Sequence, residues 1–304
     1  MKRILLTITT LAIMASCNNA SQQATPAIDR ANFDESVALN NDFYQYATGG
    51  WQKNNPLKPE FARYGTFDVL RENNEIRLND LFASMTETQA EHGTVEQKIS
   101  DLYAMGLDSV RLNQEGITPV KNDINQIMAL NNLTEVAIAV ARIHTAAGNP
   151  LFSVGVSADL LNSNINALYA EQAGLGMGNR DYYFGEENEA KRKGYVEWLT
   201  KAFSIYGADN AKALAEDVMA FETKMADKFR TNVELRDVEA NYNPMSKADF
   251  VKRYAGFDWA TYIAEMGIGE FDKIIVGQPE VFDNLNSLLK GEALSTIKNY
   301  LAAS

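Results

Sequence analysis

The chain has 304 residues, with 28 Lys and Arg against 40 Asp and Glu, a formal charge of −12; it is 46% hydrophobic and 22% charged. These are the fractions of an ordinary globular protein able to bury a sizeable core over one to three domains. A surface this acidic repels phosphate backbones, which argues against a nucleic-acid partner, and solubility alone accounts for the charge.

At the start of the chain, Lys2-Arg3 and the apolar run Ile4 to Ala15 read as the charged and hydrophobic regions of an export signal. The run is too short to span a bilayer. Met14-Ala15-Ser16-Cys17 follows, and Cys17 is the single cysteine, so no internal disulfide can form. The tetrapeptide resembles the bacterial lipobox, with Met14 where Leu is usual. That resemblance implies that residues 1–17 are a lipoprotein leader and that Cys17 is lipidated; several acyl chains together anchor stably. The expected location is then that of an exported bacterial lipoprotein, held to the membrane by lipid and facing the periplasm or the outer cell surface. An ordinary secretory leader with a chance cysteine is the alternative. Residues 18–40 are polar, without apolar periodicity, and read as a flexible tether.

From Asp42 the pattern is largely helical. Phe67, Leu70, Leu78, Leu81, Phe82 and Met85 share a helical face broken at Asn74, with Thr66 expected as the cap. Thr118-Pro119 reads as an N-cap followed by proline in the first turn, and Thr134 as the cap of the next helix, which stops at Gly148-Asn149-Pro150. Phe152, Val154 and Val156 then alternate with small polar residues, as do Ile165, Ala167 and Tyr169 after Leu161-Asn162-Ser163-Asn164, which predicts a β-hairpin. Helices resume over Tyr195–Tyr206, ended by Gly207, over Leu214–Met225, Lys247–Tyr254, Asp258–Met266 and Pro279–Leu289, and over Glu292–Leu301. Gly174-Leu175-Gly176-Met177-Gly178-Asn179 lacks the third glycine and the apolar helix of a dinucleotide fingerprint, so it reads as a loop.

Chemistry-bearing spacings are few. His92 and His144 are the two histidines, far apart, each without a second ligand one helical turn away. Asp68 and Arg71, at i and i+3, can pair on a helix surface, and Asp68 suits the first turn. By that account alone Arg63 is an ion-pair partner on the protein surface.

Asn41-Asp42-Phe43-Tyr44-Gln45-Tyr46-Ala47-Thr48-Gly49-Gly50-Trp51 and Arg63-Tyr64-Gly65-Thr66-Phe67-Asp68, with Arg71, resemble the opening of mature neprilysin-like (endothelin-converting-enzyme-like) zinc metallopeptidases. Gly174-Leu175-Gly176 before Arg180-Asp181-Tyr182-Tyr183, and Tyr242-Asn243-Pro244-Met245, are similar to later stretches of the same family. The resemblance spans Asn41 to about Leu301. It implies a mainly α fold with one β-hairpin, in which residues 41–90 pack with a catalytic domain and 91–304 form most of a helical cap domain. It implies an oligopeptide substrate and zinc in the complete enzyme. It further implies that Arg63 contacts the substrate's C-terminal carboxylate, that Phe67 borders the primed-side apolar pocket, and that Asp68 and Arg71 line the next subsite. The family's His-Glu-x-x-His helix is not in this sequence. The expectation is therefore the N-terminal portion of a lipid-anchored zinc endopeptidase, with the catalytic half missing or separately encoded, and with no zinc or catalysis by this chain alone. The second expectation is a non-catalytic, surface-tethered peptide-binding lipoprotein.

Overall fold

The computed structural model describes residues 27–58, 61, 63–88, 90–146 and 148–304. The leader and Cys17 lie outside the described residues. The fold divides into two compact units, the first ending at Ser109 and the second running Val110–Ser304.

In the first unit, α1 (Phe43–Asn54) is capped by Asp42, whose carboxylate accepts the Gln45 N–H at 2.9 Å. Helix α2 (Thr66–Thr86) starts one residue earlier than expected. Thr66 is its first helical residue, and the cap position falls on Gly65, which has no side chain to offer. Asp68 compensates by reaching back to accept the Gly65 N–H at 2.9 Å. Helix α3 (Val95–Leu107), capped by Thr94, meets α2 through Phe82 and Tyr103, whose ring centroids lie 6.0 Å apart, and through the Tyr103 hydroxyl, which donates to Asn79 at 2.7 Å. Of the predicted α2 stripe, Phe82 and Met85 are half-buried, while Phe67, Leu70, Leu78 and Leu81 face solvent in this chain.

Helix α4 (Ser109–Glu115) leads into the second unit, where α5 (Thr118–Met128) has Thr118 inside the helix and Ile117 at the cap. Helix α6 (Leu133–Thr145) is capped by Asn132, which accepts the Glu135 N–H at 2.9 Å. Thr134, expected as that cap, instead donates to Asp258 at 2.9 Å. The hairpin forms as predicted from β1 (Phe152–Asp159) and β2 (Asn162–Gln172), with a register shift at Ala158/Asp159. Helices α7 (Glu189–Tyr206) and α8 (Ala211–Ala226) follow, α7 ending on left-handed Gly207 as its Cβ-free backbone permits.

The hairpin is half of a larger sheet. After β3 (Asn243–Ser246), α9 (Lys247–Arg253) and α10 (Trp259–Glu265), β4 (Lys273–Val276) inserts to give the order β1-β2-β4-β3. Strand β4 runs parallel to β2, pairing Leu168 with Ile274 and Ala170 with Val276, and antiparallel to β3. Pro244 is tolerated because β3 is an edge strand. Helices α11 (Pro279–Gly291) and α12 (Leu294–Ala303) complete the unit. Its core joins Val136 and Val140 of α6, Phe221 of α8, Ile274 and Ile275 of β4, and Ile297 and Tyr300 of α12. Phe152 sits within an aromatic cluster, its ring centroid 4.8 Å from Trp259, 5.3 Å from Tyr262 and 5.4 Å from Phe257.

Candidate functional site

Tyr44, Thr48, Trp51, Gln52 and Asn55 recur at the three- and four-residue spacing of one face of α1, and they form one wall of a 590 Å³ cleft. The other wall is the segment Arg63–Thr66. Among the described lining residues Arg63 is the only charged side chain. It has no hydrogen bond or ion pair with another described residue.

The segment around it is held from α2. The Tyr64 hydroxyl donates a short hydrogen bond to Glu72 Oε2, and Lys58 Nζ lies 2.5 Å from Glu72 Oε1. The Tyr64 ring stacks on Trp51 at 6.1 Å and takes the edge of Phe61 at 5.2 Å. Bonds from Lys58 and Tyr64 hold the Glu72 carboxyl below its usual range, and Glu72 in turn raises the Tyr64 phenol and the Lys58 ammonium.

The other residues singled out from sequence fall outside the cleft lining. Phe67 is 88% exposed. Asp68 uses one oxygen on the Gly65 N–H and places the other 3.4 Å from Arg71. The Arg71 guanidinium lies 5.4 Å above the Phe61 ring and 3.8 Å from Glu75. Lys58 and Glu72 were not singled out from sequence; their partners lie too far along the chain for any local spacing to reveal them.

The histidines do not assemble a metal centre. His92 is exposed in the turn before α3. His144 is half-buried, accepts from the Tyr262 hydroxyl at 2.7 Å on Nδ1 and donates from Nε2 to the Pro150 carbonyl at 3.1 Å; burial lowers its pKa. Both ring nitrogens are thereby occupied. Among the described residues no group of three or more His, Cys, Asp or Glu side chains is gathered to hold an ion. Nor do the amides of the Gly174–Asn179 loop cradle phosphate. The Gly176 N–H points to buried Glu222 at 3.3 Å and the Met177 N–H to the Tyr183 hydroxyl at 3.1 Å. Glu222 also accepts from Tyr183 at 2.5 Å and Tyr195 at 3.0 Å, and burial raises its pKa.

Comparison with known proteins places this geometry. Human endothelin-converting enzyme 1 is 27% identical over 288 residues, 89% of this chain but 37% of that protein. Mouse membrane metallo-endopeptidase-like 1 is 26% identical over 306 residues, covering 89% of this chain and 39% of its own length. The solved zinc metalloprotease Zmp1 of Mycobacterium tuberculosis, in complex with an inhibitor, superposes with a TM-score of 0.83 at 25% identity over 90% of this chain and 43% of that one. This chain thus spans well under half the length of these relatives. The model of Peptidase family M13 matches residues 39–304, and the mainly α architecture is that of the family's N-terminal domain; the chain belongs to Peptidase family M13.

Proposed function

We propose that this chain is the N-terminal portion of a zinc metalloendopeptidase that cleaves oligopeptides, and that Arg63 receives the C-terminal carboxylate of the peptide. Arg63, the lone charge among the described residues lining a 590 Å³ cleft and without a partner among the described residues, is the observation that carries this reading. A guanidinium fork bonds both oxygens of a carboxylate at once, which a lysine cannot do. Exposed Phe67 fits a side chain that meets apolar substrate in the assembled enzyme, and the Asp68–Arg71 pair fits the rim of the next subsite. Zinc, the metal-activated water and the oxyanion stabilisers of peptide hydrolysis come, in this reading, from polypeptide outside this sequence, because no His-Glu-x-x-His occurs within it. The exposed α2 face supports packing of the first unit against that catalytic portion. Export and a lipid anchor at Cys17 would place the enzyme at the membrane surface.

The test is a chimera in which residues 39–304 replace the matching part of Zmp1. It should load zinc and cleave fluorogenic peptides in a chelator-sensitive way. Arg63→Ala should cost about 1.5–3 kcal/mol in kcat/KM for peptides ending in a free carboxylate close to the cleaved bond, and spare their C-terminal amides. A folded, zinc-loaded chimera without cleavage would favour the tethered peptide-binding reading. Equal losses for acid and amide would make Arg63 a structural residue.

A further inference from the structure

We infer that Glu72 is a positioning residue for Arg63, setting the guanidinium for a carboxylate by clamping the chain on both sides of it. The inference rests on the reading of Arg63 given above. None of the described residues between α1 and α2 belongs to a helix or strand, so no regular ladder of hydrogen bonds fixes them. Arg63 itself has a long rotamer-rich side chain and no partner among the described residues. Two contacts converge on one carboxylate to supply what is missing. Glu72 Oε1 takes Lys58, five residues before the arginine, and Oε2 takes the hydroxyl of Tyr64, the residue directly after it. Glu72 stands well inside α2, a rigid mount, and the Asp68 bond to the Gly65 N–H fastens the next residue to the same helix.

The charges fit this role as well. Glu72 is neutralised by Lys58 at 2.5 Å, so the carboxylate that holds the loop is not left to compete with a ligand for Arg63. The Lys58 side chain is 43% and the Glu72 side chain 24% exposed. A pair this open contributes little to global stability. Its removal should therefore loosen the placement of the arginine without unfolding the unit, and that separates positioning from a merely structural role.

The experiment uses the full chain and a fluorescein-labelled pentapeptide, with either a free C-terminal carboxylate or a C-terminal amide, read by fluorescence anisotropy. The wild type should bind the acid more tightly than the amide, and Arg63→Ala should abolish the difference. Glu72→Gln keeps the shape but loses the charge and one acceptor; it should weaken acid binding about fivefold while leaving the amide unchanged, since a slightly misplaced group forfeits much of its effect. Tyr64→Phe removes one hydroxyl and should act in the same direction, and the double variant should do little more than either alone because both break one clamp. Thermal melts of all variants should stay close to the wild type. If Arg63→Ala abolishes the preference while Glu72→Gln and Tyr64→Phe retain it, the positioning role is wrong and the Arg63 reading stands. If the wild type shows no preference for the acid, the Arg63 reading fails and the role of Glu72 falls with it. An equal loss for acid and amide, or a large drop in melting temperature, would make Glu72 structural.

Discussion

At the scale of single residues, the second unit contains one polar atom in a place where physics disfavours it. The Tyr254 hydroxyl is buried and has no hydrogen-bond partner among the described residues. The Tyr254 ring packs on Phe250 and Phe282, and burial pushes its phenol up to about 12. Neighbouring aromatic side chains with polar tips are treated differently. The Tyr300 hydroxyl accepts the Leu151 N–H at 2.8 Å and donates to the Gly174 carbonyl at 2.7 Å, and the Trp259 indole N–H reaches the Tyr254 carbonyl at 2.9 Å. Deleting an unsatisfied buried hydroxyl should help, whereas deleting a satisfied one leaves its partners stranded. Tyr254→Phe should raise the unfolding free energy by about 1 kcal/mol in urea titrations. A loss of stability would mean that the hydroxyl has a partner, such as an ordered water.

At the scale of elements, the end of the hairpin is pinned to β4 by charge. Asp159 is 1% exposed. It pairs with Lys273 and accepts from the Tyr242 hydroxyl at 2.8 Å and the Leu161 N–H at 2.9 Å. The Lys273 bond, above all, lowers its carboxyl to about 2. A carboxylate depressed in the folded state stabilises fully above its unfolded value near 4, and that contribution fades as the pH falls toward 2. Denaturation midpoints should therefore drop across this window, and Asp159→Asn should be less stable at pH 7 yet lose less between pH 4 and pH 2. A parallel pH slope in both proteins would exclude Asp159 as the cause. Though α3 and α4 were not singled out, the hairpin and most helices were legible in the sequence because their apolar residues keep a period near 2 or 3.6. The rest of the sheet was not. Asn243-Pro244-Met245-Ser246 and Lys273-Ile274-Ile275-Val276 are four residues each, too short for any period to register. Caps missed by one or two positions: at α6 two capping residues compete and Asn132 rather than Thr134 takes the place, while Gly65 and Ile117 stand one residue before the expected Thr66 and Thr118. Arg63 was singled out through its motif, but the contacts of Lys58 and Tyr64 with Glu72 join residues 14 and 8 positions apart, which no spacing announces.

At the scale of the whole molecule, the two units differ in how well each buries its own apolar groups. The second has a continuous core from α6 to α12. The first leaves Phe43, Phe67, Leu70, Leu102 and Met105 more than half exposed. Unpartnered apolar surface of this kind marks an interface, in keeping with an N-terminal portion that packs against more of an M13 peptidase. None of the described helices is long and apolar enough to cross a membrane. If Cys17 is the anchor, protein extracted from membranes should show by intact mass the loss of residues 1–16 and the gain of acyl groups. A soluble product that keeps an unmodified Cys17 would end the lipoprotein reading.

The Gly174–Gly178 loop has a consequence for anyone mapping this protein by random substitution. Gly174 has φ of 95°, and a Cβ there would strike the Leu151 amide and the Tyr300 hydroxyl; a Cβ on Gly176 would collide with Tyr195. Either position will therefore score as badly in an activity screen as Arg63 in its proposed role, although what a Cβ would strike is the protein's own Leu151, Tyr300 and Tyr195. A heat map of lost function will show a hot region of architectural origin at this loop, beside the one that the proposed role of Arg63 would produce. Only a parallel measure of folded protein in the cell will tell them apart: it should fall with the glycines and hold steady with Arg63.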